Sequence, residues 1–146
     1  MRSDSRLSRM LHVLIHMARH DGPVTSEVIA RMLNTNPVVV RRTMAGLRDH
    51  GYVASGKGHG GGWVLNRPLE SITLRDVYDA LGAPTLFAIG PADDAPDCLV
   101  EQAVNAAMSE ALAEAERRLL SQFGRVTIAS LAADFDRRLM AGSTDP

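Results

Sequence analysis

Apolar residues recur at helical spacing in three short segments near the start of the chain. The first segment covers residues 5–20 and ends before an Asp-Gly-Pro breaker; its apolar face consists of Leu7, Met10, Leu11, Leu14, Ile15 and Ala18. The second starts at Thr25 or Ser26, either of which can cap a helix, and continues to about residue 33. Its inward residues are predicted to be Val28, Ile29, Met32 and Leu33. These two patterns predict two amphipathic helices.

The third segment starts at Asn36-Pro37, a capping residue followed by proline at the first helical position. It runs to His50, and Gly51 can supply the left-handed cap that ends a helix. Because a tight polar turn separates this helix from the second one, the pair predicts a helix-turn-helix.

The spacing in the third helix separates a buried face from a basic one. Val40, Met44 and Leu47 recur at i, i+4 and i+7 and are expected to pack on the first helix, with Val39 and Thr43 partly buried. The outward residues are Val38, Arg41, Arg42 and Ala45. An arginine at the start of such a helix can bind guanine bidentately, with about 1–3 kcal/mol of discrimination. A solvated cationic face is the alternative interpretation, which the preceding helix-turn-helix disfavours.

A glycine-rich turn follows between two segments with strand propensity, residues 52–55 and 63–66. The glycines permit a tight turn in which Lys57 and His59 form a tip that can contact phosphate or the minor groove. A nucleotide phosphate loop is disfavoured because its lysine follows the glycines and opens a helix, whereas here a strand follows. We therefore predict a winged helix-turn-helix that binds double-stranded DNA, with Trp63 and Tyr52 packing the hairpin on the core.

Charge and composition agree with this interpretation. Residues 1–75 have eleven basic and five acidic side chains, whereas residues 76–146 have five and twelve, so a net charge of −1 conceals a basic half and an acidic half. A basic half indicates a phosphate-backbone partner. The sequence shows no membrane span and no signal peptide, and its single cysteine is compatible with a reducing cytosol, so we expect a cytoplasmic protein.

The second half predicts a dimerisation element. After a Gly/Pro/Asp-rich connector at residues 82–96, expected to be mobile, one helical pattern runs from Asp97 to Phe123 and has its apolar side at Val100, Val104, Ala107, Met108, Ala111, Leu112, Ala115 and Leu119. A helix of about 26 residues is ~39 Å long, too long for the 1–81 domain to cover. The same helix of a second subunit is the expected partner, and a helix folded on its own domain is the alternative. The remainder of 97–146 includes a last helix, capped by Thr127, that returns to the body through Ile128, Leu131, Phe135 and Leu139.

The segments 47–68 (LRDHGYVASGKGHGGGWVLNRP) and 72–81 (ITLRDVYDAL) resemble the Rrf-two family of bacterial transcription regulators. The resemblance covers nearly the whole chain. It implies a mainly α fold with a small β-hairpin, and a homodimer that binds a roughly palindromic operator, usually as a repressor. It also implies DNA contacts for Arg41, Arg42, Lys57 and His59, to which the turn position adds Asn36, Pro37 and Val38. Where the family often has Arg-Gly at the start of the wing, this chain has Lys57-Gly58, which keeps the charge and loses the bidentate geometry.

Two hypotheses remain for the signal that the predicted regulator senses. Cluster-binding relatives have three cysteines, whereas this chain has only Cys98, so we expect no metal and no cofactor, and the histidines at 12, 16, 20 and 50 are interpreted as surface or core-edge residues. Cys98 at a helix N-terminus is a candidate redox switch, although Asp97 opposes its ionisation. The alternative is a structural cysteine in a regulator that responds to a small molecule or a partner protein. No catalytic motif is present, so an enzyme is not expected.

Overall fold

The computed structural model describes residues 3–56, 58 and 61–142. In the described part of the chain, six α-helices surround one small antiparallel hairpin: α1 (Arg6–Arg19), α2 (Ser26–Leu33), α3 (Pro37–Asp49), β1 (Val53–Gly56), β2 (Gly62–Leu65), α4 (Leu74–Ala80), α5 (Leu99–Phe123) and α6 (Ile128–Gly142). The expected mainly helical class with a small hairpin is confirmed. The strands are shifted slightly, because β1 begins at Val53 and β2 at Gly62.

Local capping chemistry explains where the helices begin. The Thr25 side chain accepts a hydrogen bond from the backbone N–H of Val28, which satisfies a donor at the start of α2. At α4, Thr73 and Asp76 form a reciprocal capping box, with distances of 3.1 and 2.9 Å. Gly51, at φ +81°, terminates α3 as the sequence predicts.

The core lies where α1, α2, α3 and α4 meet the hairpin and the start of α6. Its fully buried residues include the predicted Val40, Met44 and Leu47 of α3, together with Val13, Leu14, Ile29, Ile72, Val77 and Ile128. Val39, predicted to be partly buried, is 44% exposed and lines a groove with Arg9 and Met10 of α1.

The hairpin is anchored to the chain segment before α2. Its strands pair from Val53↔Leu65 to Gly56↔Gly62, and Trp63 forms a second backbone bridge with Val24, at N···O distances of 2.8 and 3.0 Å. The Trp63 ring is buried, and its Nε1–H donates to Ser26 Oγ at 2.9 Å. Trp63 therefore packs the wing on the core, as the sequence indicates.

The long helix α5 has no buried residue along its 25 positions. Its end lies against α4, where Phe123 meets Tyr78 edge-to-face at 6.2 Å between ring centroids. The Glu114 carboxylate accepts hydrogen bonds from Arg117 and Arg118, which lower its pKa and stabilise the helix from within. Among the described residues, no helix is sufficiently long and apolar to cross a membrane.

The connector and α6 differ in part from expectation. The connector contains neither helix nor strand, but its end is hydrogen-bonded to α5, since Asn105 holds both the N–H and the C=O of Ala92. Its mobility stays a prediction. α6 returns to the body at Ile128, whereas Phe135 is 38% and Leu139 53% exposed. Phe135 nevertheless contacts the body, since the Arg19 guanidinium of α1 lies 5.0 Å from the centre of its ring and both residues line one cavity. The return of Leu139 to the body stays a prediction.

Candidate nucleic-acid interface

The start of α3 is built by Asn36 and Pro37. The Asn36 Oδ1 accepts hydrogen bonds from the N–H groups of Val38 and Val39, at 3.0 and 3.1 Å, and Pro37 occupies the first helical position. These two residues therefore aim the helix. Since the Asn36 amide oxygen is engaged in the cap, its N–H₂ group is what it can offer to another molecule.

The outward face of α3 carries the residues that the sequence singled out. Val38 is 59% exposed, and Arg41 and Arg42 are also exposed. The Arg41 guanidinium donates to the Glu27 carboxylate of α2 at 3.1 Å, with both side chains more than half exposed. Arg42 makes no hydrogen bond or ion pair with any residue that the structure describes. The face thus offers one solvated arginine and one that a carboxylate holds in place.

A cleft of about 300 Å³ lies between α3 and the hairpin. Glu27 and Arg41 lie on its helical side, and Ser55, Gly58 and Gly61 on its hairpin side. The predicted tip residues Lys57 and His59 flank Gly58 in the sequence and lie outside the described residues. The cleft therefore places the hairpin backbone beside the basic face of α3.

Two glycines let the hairpin close. A Cβ at Gly61 would lie 2.8 Å from the carbonyl oxygen of Gly58, and a Cβ at Gly62, at φ +146°, would lie 2.9 Å from the Val24 backbone. A side chain at Gly61 would collide with the backbone of the turn itself, and one at Gly62 would push the hairpin away from the segment before α2. The glycine-rich sequence is thus required for the position of the wing beside α3.

The base of the hairpin is packed by Tyr52. The Arg67 guanidinium lies 5.3 Å from the centre of its ring, and the His50 ring stacks on it at 6.2 Å. Burial, followed by the nearby Asp76 carboxylate, raises the pKa of the Tyr52 phenol, which therefore stays neutral at physiological pH. The tyrosine is a packing residue here, in agreement with the sequence analysis.

Sequence reasoning missed the role of Glu27. It belongs to α2 and is separated from Arg41 by fourteen positions, so no local spacing rule connects them. The only signal is a carboxylate in the first turn of the helix that precedes the basic helix. Its contact with Arg41 is a product of the helix-turn-helix geometry.

Cys98 lies far from this face along the chain, at the N-cap position of α5. Its thiol is exposed, and its side chain makes no capping hydrogen bond. The candidate redox residue is therefore accessible to solvent.

A basic helix after a tight turn, with a hairpin held beside it, defines the winged helix-turn-helix class of DNA-binding proteins. Comparison with known proteins agrees. Residues 3–134 match the family model Rrf2, which is described as an iron-dependent transcriptional regulator, and the chain belongs to this Rrf-two family. Its relatives are transcriptional regulators, and so is this protein: a DNA-binding regulator of the Rrf-two family.

Individual relatives share most of the chain. It is 32% identical over 117 residues to YwnA of Bacillus subtilis (strain 168), which bears the name of an HTH-type transcriptional regulator, covering 80% of this chain and 86% of that one. A crystal structure described as a transcriptional regulator of Lactobacillus plantarum superposes with a TM-score of 0.75 at 27% identity, covering 90% of both chains. The IscR protein of T. potens shares the fold, with a TM-score of 0.64 at 20% identity, covering 92% of this chain and 88% of that one.

The iron in the family description does not fit the residues of this chain. Cys98 is the single cysteine, and the described residues contain no group of three or more His, Cys, Asp or Glu side chains that could hold a metal ion. An iron–sulfur cluster is held by several cysteine or histidine ligands. We therefore assign no step to iron.

Proposed function

We propose that this regulator is a homodimer that binds a palindromic operator and represses transcription. The observation that carries the proposal is the exposure of Arg41 and Arg42 on α3 beside the hairpin cleft. α3 would enter the major groove, where Arg41 and Arg42 contact base edges or phosphates and Val38 meets a thymine methyl group.

The wing would add contacts that do not depend on sequence. Lys57 and His59 belong in the sequence to the segment between β1 and β2, and Gly58 between them lines the cleft together with Arg41. A lysine ammonium is a point charge suited to phosphate, so it gives affinity with little discrimination between sequences. The N-terminus of α3, which Asn36 and Pro37 form, would contact the DNA phosphate backbone together with the wing.

The dimer would form through α5. Val100 and Val104 are 71% and 52% exposed, in a helix that buries no residue against its own chain. Packing of these side chains on a second copy of the chain would remove their apolar surface from water. A two-fold arrangement of two α3 helices then matches two operator half-sites about 34 Å apart.

Two candidate signals for this regulator have support in its structure. Cys98 is exposed, so an oxidant can reach its thiol, and oxidation at the start of α5 would act on the element that joins the subunits. The second candidate is a small metabolite, favoured by an open and mostly apolar cavity of about 480 Å³ between α1 and α6. In that case Cys98 is structural.

One experiment tests the whole proposal. The protein is titrated with DNA from upstream of its own gene and with random DNA, at several salt concentrations, before and after mild peroxide. We expect a preference for the upstream DNA and a steep dependence on salt. Loss of binding on oxidation that Cys98→Ser prevents would assign the redox signal. Specific binding that is indifferent to peroxide would rule out the redox signal and leave a metabolite or a partner protein as the candidates. Equal affinity for both DNAs would contradict the proposal.

Two variants separate the roles of helix and wing. Arg41→Ala should weaken binding to the upstream DNA by about 1–3 kcal/mol and leave random DNA nearly unchanged. Lys57→Ala should weaken binding to all DNA alike and reduce the salt slope by about 1. Equal losses on both DNAs for Arg41→Ala would contradict base readout by this residue.

A further inference from the structure

Two histidines stand one turn apart on α1, on a part of the surface that the DNA-facing cleft does not include. His12 and His16 are exposed, and a hydrogen bond of 2.9 Å joins their Nε2 atoms, which a metal ion bound to both would replace; their ring centroids are 4.7 Å apart. Both line the open cavity between α1 and α6, opposite Leu131 and Phe135. The core is formed by the other side of α1, so neither imidazole is needed to hold the fold together.

The distance between the two nitrogens suits a chelate. Bonds of about 2.0–2.1 Å from both Nε2 atoms to one ion, with the nitrogens 2.9 Å apart, make an angle of roughly 90° at that ion. Neighbouring ligands make this angle in the tetragonal geometries that Cu²⁺ and Ni²⁺ prefer. We propose that His12 and His16 chelate one Cu²⁺ or Ni²⁺ ion through their Nε2 atoms at the α1 edge of the cavity.

The spacing and the surroundings support this site. Histidines at i and i+4 on a helix are the arrangement by which helical metal motifs present two imidazoles to one ion. Arg19, the arginine that lines the same cavity, is ion-paired with Asp136, so its charge is compensated. No third His, Cys, Asp or Glu among the described residues joins the pair, so water fills the remaining positions.

The test is a titration of untagged Cys98→Ser protein with Cu²⁺ and, separately, with Ni²⁺ and Zn²⁺, followed by calorimetry and by electron paramagnetic resonance of the copper form. The background substitution removes the thiolate as a competing ligand. We expect one Cu²⁺ or Ni²⁺ ion per chain, two nitrogen ligands in the copper spectrum and weaker Zn²⁺ binding. His12→Gln and His16→Gln should each lower the affinity at least about tenfold, since losing even an outer-shell partner costs about that much.

The matched control is His50→Gln. This histidine is also exposed, and its Nδ1 contacts the carbonyl oxygen of Gly46 at 2.9 Å, with no second histidine beside it. It should bind metal as the parent does. Unchanged affinity in His12→Gln and His16→Gln, an equal loss in His50→Gln, or no copper spectrum with two nitrogens would overturn the proposal. Because the measurement needs no DNA, its failure is distinct from a failure of the proposed DNA binding.

Discussion

The amino-terminal core buries its apolar residues, whereas α5 exposes its own. In the core, Leu14, Ile29, Met44 and Leu47 are completely buried, and one cluster joins α1 to α4, the hairpin and the start of α6. Along α5, no side chain is buried over 25 residues. The core is therefore stabilised by contacts within one chain, whereas α5 exposes a surface whose burial needs a second molecule. The two regions should respond differently to the same chemical change.

The largest expected effect comes from one substitution made in both regions. Leu47→Ala should lower the free energy of unfolding by about 2–5 kcal/mol, because it leaves a cavity in the core. Leu99→Ala, which truncates an exposed leucine away from the predicted apolar side of α5, should change it by less than about 1 kcal/mol. Urea unfolding followed by circular dichroism measures both. Equal losses would mean that the two regions do not differ as described.

A charge introduced on α5 tests whether a second subunit packs on this helix. Val104→Lys should weaken subunit association by about 3 kcal/mol, because it places an unpaired charge in the proposed interface. Its unfolding midpoint at low protein concentration should stay near that of the parent. Sedimentation velocity over a range of concentrations measures the association.

The matched control is Ser109→Lys, which adds the same charge to the other side of the helix at an exposed position. It should associate as the parent does. If both variants remain dimers, the α5 interface is wrong; if the parent is a monomer at all concentrations, the dimer itself is wrong.

A smaller effect is expected where the wing joins the core. Trp63→Phe removes the hydrogen bond to Ser26 and leaves a buried hydroxyl without its partner, which should cost about 1–3 kcal/mol of stability. Adding Ser26→Ala should recover part of this loss, because the unpaired hydroxyl is removed. Thermal unfolding of the two variants measures the difference. A double variant less stable than Trp63→Phe alone would argue against the hydrogen bond as the cause.

The smallest effect is expected on the surface of the first region. Glu27→Gln breaks an exposed ion pair with Arg41, so stability should change by less than about 1 kcal/mol. Affinity for random DNA should rise slightly, because a carboxylate next to the phosphates is removed. Fluorescence anisotropy with labelled DNA measures this. In the Arg41→Ala background the same substitution should have a smaller effect on specific DNA, and an equal effect would rule out coupling between the two residues.

The features that sequence predicted well are those set by neighbouring residues. Asn36, Thr25 and Gly51 act within a few positions of themselves, so their roles at the helix ends follow from local chemistry. The face of α3 was also predictable, because its period is that of the helix itself.

Contacts between distant segments were not predictable in this way. The bridge from Val24 to Trp63, the hydrogen bond from Trp63 to Ser26 and the pair of Glu27 with Arg41 each depend on how elements are placed in space. The contact between Arg19 and the Phe135 ring was not predictable for the same reason, since periodicity identifies the inward side of α6 but not the residue that it meets.

The single tryptophan of this protein lies at the junction between the wing and the helix-turn-helix. All indole emission from the molecule therefore originates at one known place. Solvent entering the junction, or a change in the bond to Ser26, would shift the colour and intensity of that emission. The chain thus carries a built-in optical reporter of its wing, which can be monitored without attaching a dye.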